Sequence, residues 1–180
     1  MIFSNNRFET ITSFCKGRVL DIGAAEGGLH EYISHRIKSI RSMDIREADV
    51  MHNADVFPYP FKNNSFNTIV AGEIIEHLNS PFDFLIECRR ILKPMGTLII
   101  TTPNARMLMP YSNIEENDKG YELHKYLWDM GTLLRLVRTA GLQIADHGYV
   151  NTYQKNIIFK MICAIFPQLS WHLVVVAKKK

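Results

Sequence analysis

The 180-residue sequence predicts one α/β domain: a mostly parallel central sheet with an antiparallel strand near the C-terminus and helices on both faces. Three observations predict it. Short apolar, β-branched runs alternate with segments of helical apolar spacing; the first such run passes directly into a glycine-rich loop and then a helix; and no internal repeat or Pro/Gly/Ser-rich linker divides the chain. Helices between strands act as crossovers, which join parallel rather than hairpin-paired strands. In such a sheet a ligand sits outside the carboxyl ends of the strands.

The first strand is expected at 18–22, ending beside the loop 23–28. Leu29, Tyr32, Ile33 and Ile37 then follow at helical spacing. Further strands are expected at 40–45, 67–71 and 97–102. Between the last two, Ser80 and Pro81 open a helix with Phe84, Leu85, Cys88, Ile91 and Leu92 inward, and Pro94 and Gly96 end it. Met130, Leu133, Leu134 and Val137 mark another helix, closed by Gly141. Strands near 142–149 and 171–177 flank a last apolar helix.

Composition narrows the function classes. The formal net charge is only +3, and Lys178, Lys179 and Lys180, at the end of the chain, are expected to stand in solvent. A protein relying on phosphate contacts for affinity carries a stronger basic signature, so nucleic acid is not the expected partner. Cys15, Cys88 and Cys163 are odd in number and scattered, without metal-finger spacing, which fits a reducing compartment. The first ten residues lack the apolar run of a secretory signal and no run is long enough to span a bilayer, so the expected location is cytoplasmic.

The chemistry-bearing stretches stand in order. Val19-Leu-Asp-Ile-Gly-Ala-Ala-Glu-Gly27 puts an acidic residue on a strand and small residues at alternate loop positions, which lets backbone approach a ligand closely. Alone, such a loop serves a dinucleotide equally well. Asp44 ends the next strand, where a ribose-binding carboxylate belongs, or else is a solvated turn residue. Then come Asn53-Ala-Asp55-Val-Phe-Pro-Tyr-Pro-Phe61, Ala71-Gly-Glu73-Ile-Ile-Glu76-His77-Leu, and Gly96-Thr-Leu-Ile-Ile-Thr-Thr-Pro103-Asn104.

Taken together these stretches resemble class I S-adenosylmethionine-dependent methyltransferases, in particular the broad small-molecule subgroup that includes the ubiquinone-pathway O-methyltransferases. The resemblance implies a Rossmann-like methyltransferase fold, S-adenosylmethionine as cofactor and S-adenosylhomocysteine as product. It implies a cofactor site of Asp21, Gly23, Ala25 and Gly27 at the loop, Asp44 at the ribose, Asp55 with Val56 at the adenine, and Glu73 beside the methionine part. Ala25 replaces the family's middle glycine and adds one methyl group to the loop.

Methyl transfer asks the protein for orientation and sometimes a base. His77, in the strand-to-helix region at the carboxyl end of the sheet, and His124 are the candidate catalytic residues; the structural alternative for His77 is packing or capping of the next helix. Glu73, Glu76, His77 and His124 also form a ligand set for a divalent metal. That set resembles the metal-dependent methyltransferases of small-RNA 2′-hydroxyls, but the spacer 103–124 lacks their further His-rich pattern, and no resident metal is expected. The expected activity is methyl transfer to an oxygen or nitrogen of a small molecule such as a sugar, a quinone-like or a lipid-linked compound. The alternatives are metal-dependent RNA 2′-O-methylation and a non-catalytic cofactor-binding module.

Two segments bear on the acceptor. Residues 104–128 are expected to cover the substrate, within a single domain spanning 1–180. Ile157, Ile158, Met161, Ile162 and Ile165 make an apolar stripe, read first as a helix buried on the sheet and otherwise as a surface for a membrane or a lipid-linked acceptor. The sequence leaves the oligomeric state open.

Overall fold

In the computed structural model, which describes residues 6–24, 28–37, 39–108, 124–151 and 157–180, the chain opens on a helix that the sequence reading did not find. Asn6 caps it, its side chain accepting from the amides of Phe8 and Glu9, and α1 runs Arg7–Phe14. Ile11 is fully buried against Val19, Leu29 and Ile33, which fixes the helix on one face of the sheet. Its apolar spacing is too short, amid polar residues, to stand out as a periodic signal.

The strands are β1 (Val19–Ile22), β2 (Ile40–Asp44), β3 (Val50–Met51), β4 (Phe66–Gly72), β5 (Leu92–Pro103), β6 (Gln143–Val150) and β7 (His172–Lys178). They form one sheet in the order β3-β2-β1-β4-β5-β7-β6. Every pairing from β3 to β5 is parallel, and β7 runs antiparallel to both β5 and β6. The predicted mostly parallel sheet with a reversed strand near the C-terminus is the observed one. The central strands β1 and β4 are buried nearly end to end, as strands covered on both faces must be.

The crossovers are α2 (Leu29–Ser34) and α3 (Pro81–Ile91), followed by the short α4 (Ala105–Leu108), α5 (Met130–Thr139) and α6 (Ile157–Ile165). The main core packs Leu20, Ile22 and Ile69 against Phe84, Leu85 and Ile91 of α3 and Leu133 and Val137 of α5. The start of α3 differs from the expectation. Ser80 Oγ donates to Asp83 Oδ2 at 2.6 Å, and it is Asp55 Oδ1 that accepts the amide of Asn79 at 2.8 Å. The end differs too: β5 begins at Leu92 and carries Pro94 and Gly96 within it, at an irregularity where Met95 takes φ +61°.

Two further expectations are corrected. α6 is largely exposed rather than buried, with Ile158 66% and Ile165 72% accessible while Cys163 faces inward, because it packs on the short turn Pro167–Leu169 instead of lying across the sheet. Lys179 is held: its Nζ donates to Asn64 Oδ1 and to the Leu92 carbonyl, both at 2.8 Å. Among the described residues no helix is long and apolar enough to cross a membrane.

Candidate active site

The carboxyl ends of β1, β2, β4 and β5 lie side by side, and the predicted residues gather there. β1 ends in Gly23, which takes φ +80° and donates its amide to the Met43 carbonyl at 2.9 Å. A Cβ at Gly23 would stand 2.9 Å from Ile74 Cδ1, so both the turn and the space require glycine. One residue past the Ile22–Ala71 pair of the β1–β4 ladder, Gly23 and Gly72 leave neighbouring strand ends without side chains. Asp21 points inward, 1% exposed, with Oδ2 3.4 Å from His30 Nδ1; burial raises its pKa, against the lowering influence of His30 and Arg7. Ala25 and Gly27 lie outside the described residues.

Asp44 closes β2, half-buried, its Oδ1 accepting the Arg46 amide at 3.3 Å. Asp55 is held by Asn79, whose amide and side-chain nitrogen reach Oδ1 at 2.8 Å and Oδ2 at 3.0 Å. Each carboxylate oxygen has more than one acceptor direction, so this clamp orients Asp55 without exhausting it. Val56 beside it is exposed.

Glu73 follows Gly72 in the left-handed region at φ +57°, its amide bound to the Thr101 carbonyl at 2.9 Å. Its carboxylate lies between two residues the sequence reading missed: Oε1 is 3.2 Å from Arg7 Nη1, and Oε2 is 3.5 Å from His172 Nε2. Arg7 Nη1 also donates to Thr101 Oγ1 at 3.1 Å. Burial lowers the His172 pKa, and Arg7 adds to this while Glu73 opposes it, so the imidazole is held neutral.

Glu76, 1% exposed, turns the other way. Its Oε2 accepts from Thr102 Oγ1 at 2.9 Å, while Oε1 is buried with no hydrogen-bond partner. Burial first, and then the neighbouring Glu73 charge, push its pKa up to about 8. The Glu76 carbonyl accepts the amides of Lys125 and Tyr126 at 2.8 and 3.1 Å, fastening the segment that carries His124. The rings of His77 and His124 come to 4.7 Å, and ligand atoms of Glu76, His77 and His124 all lie within 4.8 Å of one another. The fold thus unites three of the four residues of the predicted ligand set and turns Glu73 to Arg7.

Residues 20–100 match the family model described as "Methyltransferase domain". A Mycolicibacterium smegmatis protein named "Probable S-adenosylmethionine-dependent methyltransferase" is 27% identical over 151 residues, 77% of this chain and 57% of that protein. The ubiquinone biosynthesis O-methyltransferase of Roseobacter denitrificans is 26% identical over 48% of this chain and 41% of its own. Among solved structures, a SAM-dependent methyltransferase from Archaeoglobus fulgidus superposes with TM-score 0.70 at 19% identity, over 96% of this chain and 91% of that one. Over these stretches the chain is similar to S-adenosylmethionine-dependent methyltransferases. It spans roughly two-fifths to three-fifths of the length of these two curated relatives.

The geometry at these strand ends fits S-adenosylmethionine: Gly23 and Gly72 leave two adjacent strand ends bare, Asp44 and Glu73 stand at the ends of β2 and β4, and polar atoms of Glu73 and Arg7 are buried without hydrogen-bond partners. Gly23, Asp44 and Glu73 lie at the carboxyl ends of neighbouring parallel strands, and Glu76, His77 and His124 cluster beyond Glu73. Arg7 and His172 carry no sequence signal, since they reach the site from the ends of the described chain, 66 residues before and 99 after Glu73.

Proposed function

We propose that the chain transfers the methyl group of S-adenosylmethionine to an oxygen or nitrogen of a small-molecule acceptor. The observation that carries this reading is the convergence of His77 and His124, rings 4.7 Å apart, in the segment that follows Gly72 and Glu73 at the end of β4. In this reading Asp44 holds the ribose hydroxyls, Asp55 and Val56 the adenine edge, and the loop from Gly23 through Ala25 and Gly27 the backbone-lined approach, with Asp21 supporting it from beneath. The bound cofactor supplies a methyl group on a positively charged sulfur, ready for in-line attack. The protein's part is to aim the acceptor and to take its proton, on an imidazole nitrogen of His77 or His124.

The acceptor side is bounded by the two ends of the segment 104–128, proposed as the cover of a single domain. These ends are fastened together: the Ala105 amide donates to the Trp128 carbonyl at 2.9 Å, and Asn104 Nδ2 to the Gln168 and Ser170 carbonyls at 2.9 and 2.8 Å. The exposed apolar face of α6, packed on the turn Pro167–Leu169 that also holds Asn104, is the feature that favours a quinone-like or lipid-linked acceptor over a free sugar.

One observation favours a second reading. Glu76, His77 and His124 offer one carboxylate and two imidazoles within 4.8 Å, a set suited to a divalent transition metal, and Glu76 Oε1 is buried without a hydrogen-bond partner. The two histidines would then be ligands rather than bases, and the open coordination positions would hold adjacent hydroxyls of the acceptor. That chemistry extends to a terminal ribose, though the small net charge of +3 weighs against RNA.

Calorimetry with S-adenosylmethionine and S-adenosylhomocysteine tests the first claim, and no heat from either overturns it. Binding of both with no turnover on any quinol, catechol or lipid-linked hydroxyl supports the non-catalytic module instead. Turnover undiminished by a chelator rules out the metal reading.

A further inference from the structure

We propose that His30 is a positioning residue for the methyl donor: paired with Asp21, it fixes the first turn of α2 against the end of β1, and donor affinity follows the protonation of this pair. The inference rests on the donor reading above and adds a residue that lies outside the motif 19–27.

Asp21 stands two residues before Gly23, and His30 two residues after Gly28, so one contact ties the strand to the helix across the glycine-rich stretch. Asp21 Oδ2 and His30 Nδ1 lie 3.4 Å apart, longer than a good hydrogen bond, and each is buried with no hydrogen-bond partner among the described residues. The carboxylate is 2% exposed and the imidazole 28%, so a proton from solvent enters the pair on His30. A buried carboxylate left without a proton or a counter-ion is costly, which makes the charge of the pair a determinant of where α2 sits. Gly28, at φ +69°, gives α2 no capping side chain. The first turn is placed instead by this pair and by Leu29, which is buried against the end of β4: a Cβ on Gly72 would stand 2.8 Å from Leu29 Cδ2. Movement of that turn therefore shifts the floor that Gly23 and Gly72 leave bare.

The groups that face the pair come from three sides. Arg7 and Cys15 approach Asp21 from α1 and its end, Asp44 from β2, and Asp49, just before β3, faces His30. Burial raises the Asp21 pKa, His30 and Arg7 oppose it, and Asp44 adds to it. Asp21 raises the His30 pKa above its ordinary 6.5, with partial burial opposing and Asp49 adding. The Cys15 thiol, pushed up to about 12 by burial and then by Asp21, keeps its proton and takes no part. Below the raised His30 value the pair holds a proton and no net charge. As pH rises through that value the proton leaves, a buried anion remains, and the pair's contribution is lost. By linkage, a bound donor raises the His30 pKa further.

The test follows S-adenosylhomocysteine binding by calorimetry from about pH 6 to about pH 8.5. Wild-type affinity should fall about three- to tenfold across this range, the linkage of about half to one pKa unit at His30. His30→Gln cannot carry the proton and should change less than about twofold over the same range. Glu76, pushed up to about 8, titrates there as well, and the difference between the two proteins removes its part. In the wild type, the His30 ring followed by NMR should titrate above 6.5 alone and higher with S-adenosylhomocysteine, a reading that needs no variant to fold. A wild-type affinity independent of pH, a His30→Gln protein that keeps the wild-type pH dependence, or a His30 titration unmoved by the ligand overturns the positioning role while leaving the donor reading intact. No binding by the wild type at any pH overturns the donor reading and the positioning role with it.

Discussion

Arg90 fastens the loop 59–63 to α3, and its replacement by methionine gives a quantitative test. Its Nε donates to Glu87 Oε2 at 2.8 Å, Nη2 to Glu87 Oε1, and Nη1 to the Phe61 carbonyl and Asn63 Oδ1 at 2.9 and 2.7 Å. Glu87 Oε1 in turn accepts the Tyr59 amide at 2.6 Å. Glu87 is 8% exposed at its side chain and Arg90 27%, so Arg90→Met strands a nearly buried carboxylate while admitting some water. A fully buried pair broken this way costs about 3–5 kcal/mol, and partial exposure brings the expectation to about 3 kcal/mol. For a domain of this size that lowers Tm by about 6–12 °C. Burial by itself would raise the Glu87 pKa, but the Arg90 bonds and the Tyr59 amide outweigh it and lower the pKa below its ordinary 4.5. A depressed carboxylate stabilises the fold above its unfolded pKa, and the contribution is lost as pH falls through the folded value. In the variant, burial without a counter-ion raises Glu87 instead, so the deficit should be full near neutral pH, begin to shrink as pH falls through the variant's raised Glu87 pKa, above 4.5, and go on shrinking until Glu87 protonates in the wild type, below 4.5. Urea unfolding of both proteins across this range measures it. A deficit under about 1 kcal/mol, or one independent of pH, would refute the reasoning.

The other expectations concern separate parts of the molecule. Phe84→Ala empties a fully buried position in the main core and should cost about 3–5 kcal/mol in urea unfolding; a loss below about 2 would mean the site collapses around the cavity. Gly23→Ala must hold φ +80° and fit a Cβ 2.9 Å from Ile74 Cδ1, so it should lose about 1–3 kcal/mol and bind S-adenosylhomocysteine more weakly. Wild-type stability and affinity together would show that the turn tolerates a side chain. Asp44→Asn should weaken S-adenosylhomocysteine about ten- to hundred-fold with little change in Tm, and unchanged calorimetric affinity would remove Asp44 from the ribose site.

The fold, and the residues it sets at the strand ends, were legible because both are written locally. Asp21 to Gly23 is a strand running into a turn, Asp44 ends a strand, and the helix of Phe84, Leu85 and Ile91 shows its period; each signal lies within a dozen residues. Reading failed where the answer depends on what lies opposite. The stripe of α6 has the same period whether it faces the sheet or solvent, and in the fold it packs on the turn Pro167–Leu169 with most of the stripe exposed. Ser80 has the chemistry of a cap, yet Asp55, distant in sequence, reached the amide of Asn79 at 2.8 Å.

The active-site cluster divides in the same way. The sequence by itself determined the residue types at the strand ends and, because short loops after parallel strands open on one edge, where a ligand would sit; the class of cofactor followed from the family that those residues resemble. Only the tertiary structure decided how the acidic residues pair. It turned Glu73 to Arg7 and His172, and left Glu76 with His77 and His124. The reason is geometric: Glu73 and Glu76 are three residues apart on a turn whose backbone goes left-handed at Glu73, so their carboxylates diverge, and each finds partners brought by segments that no local pattern names.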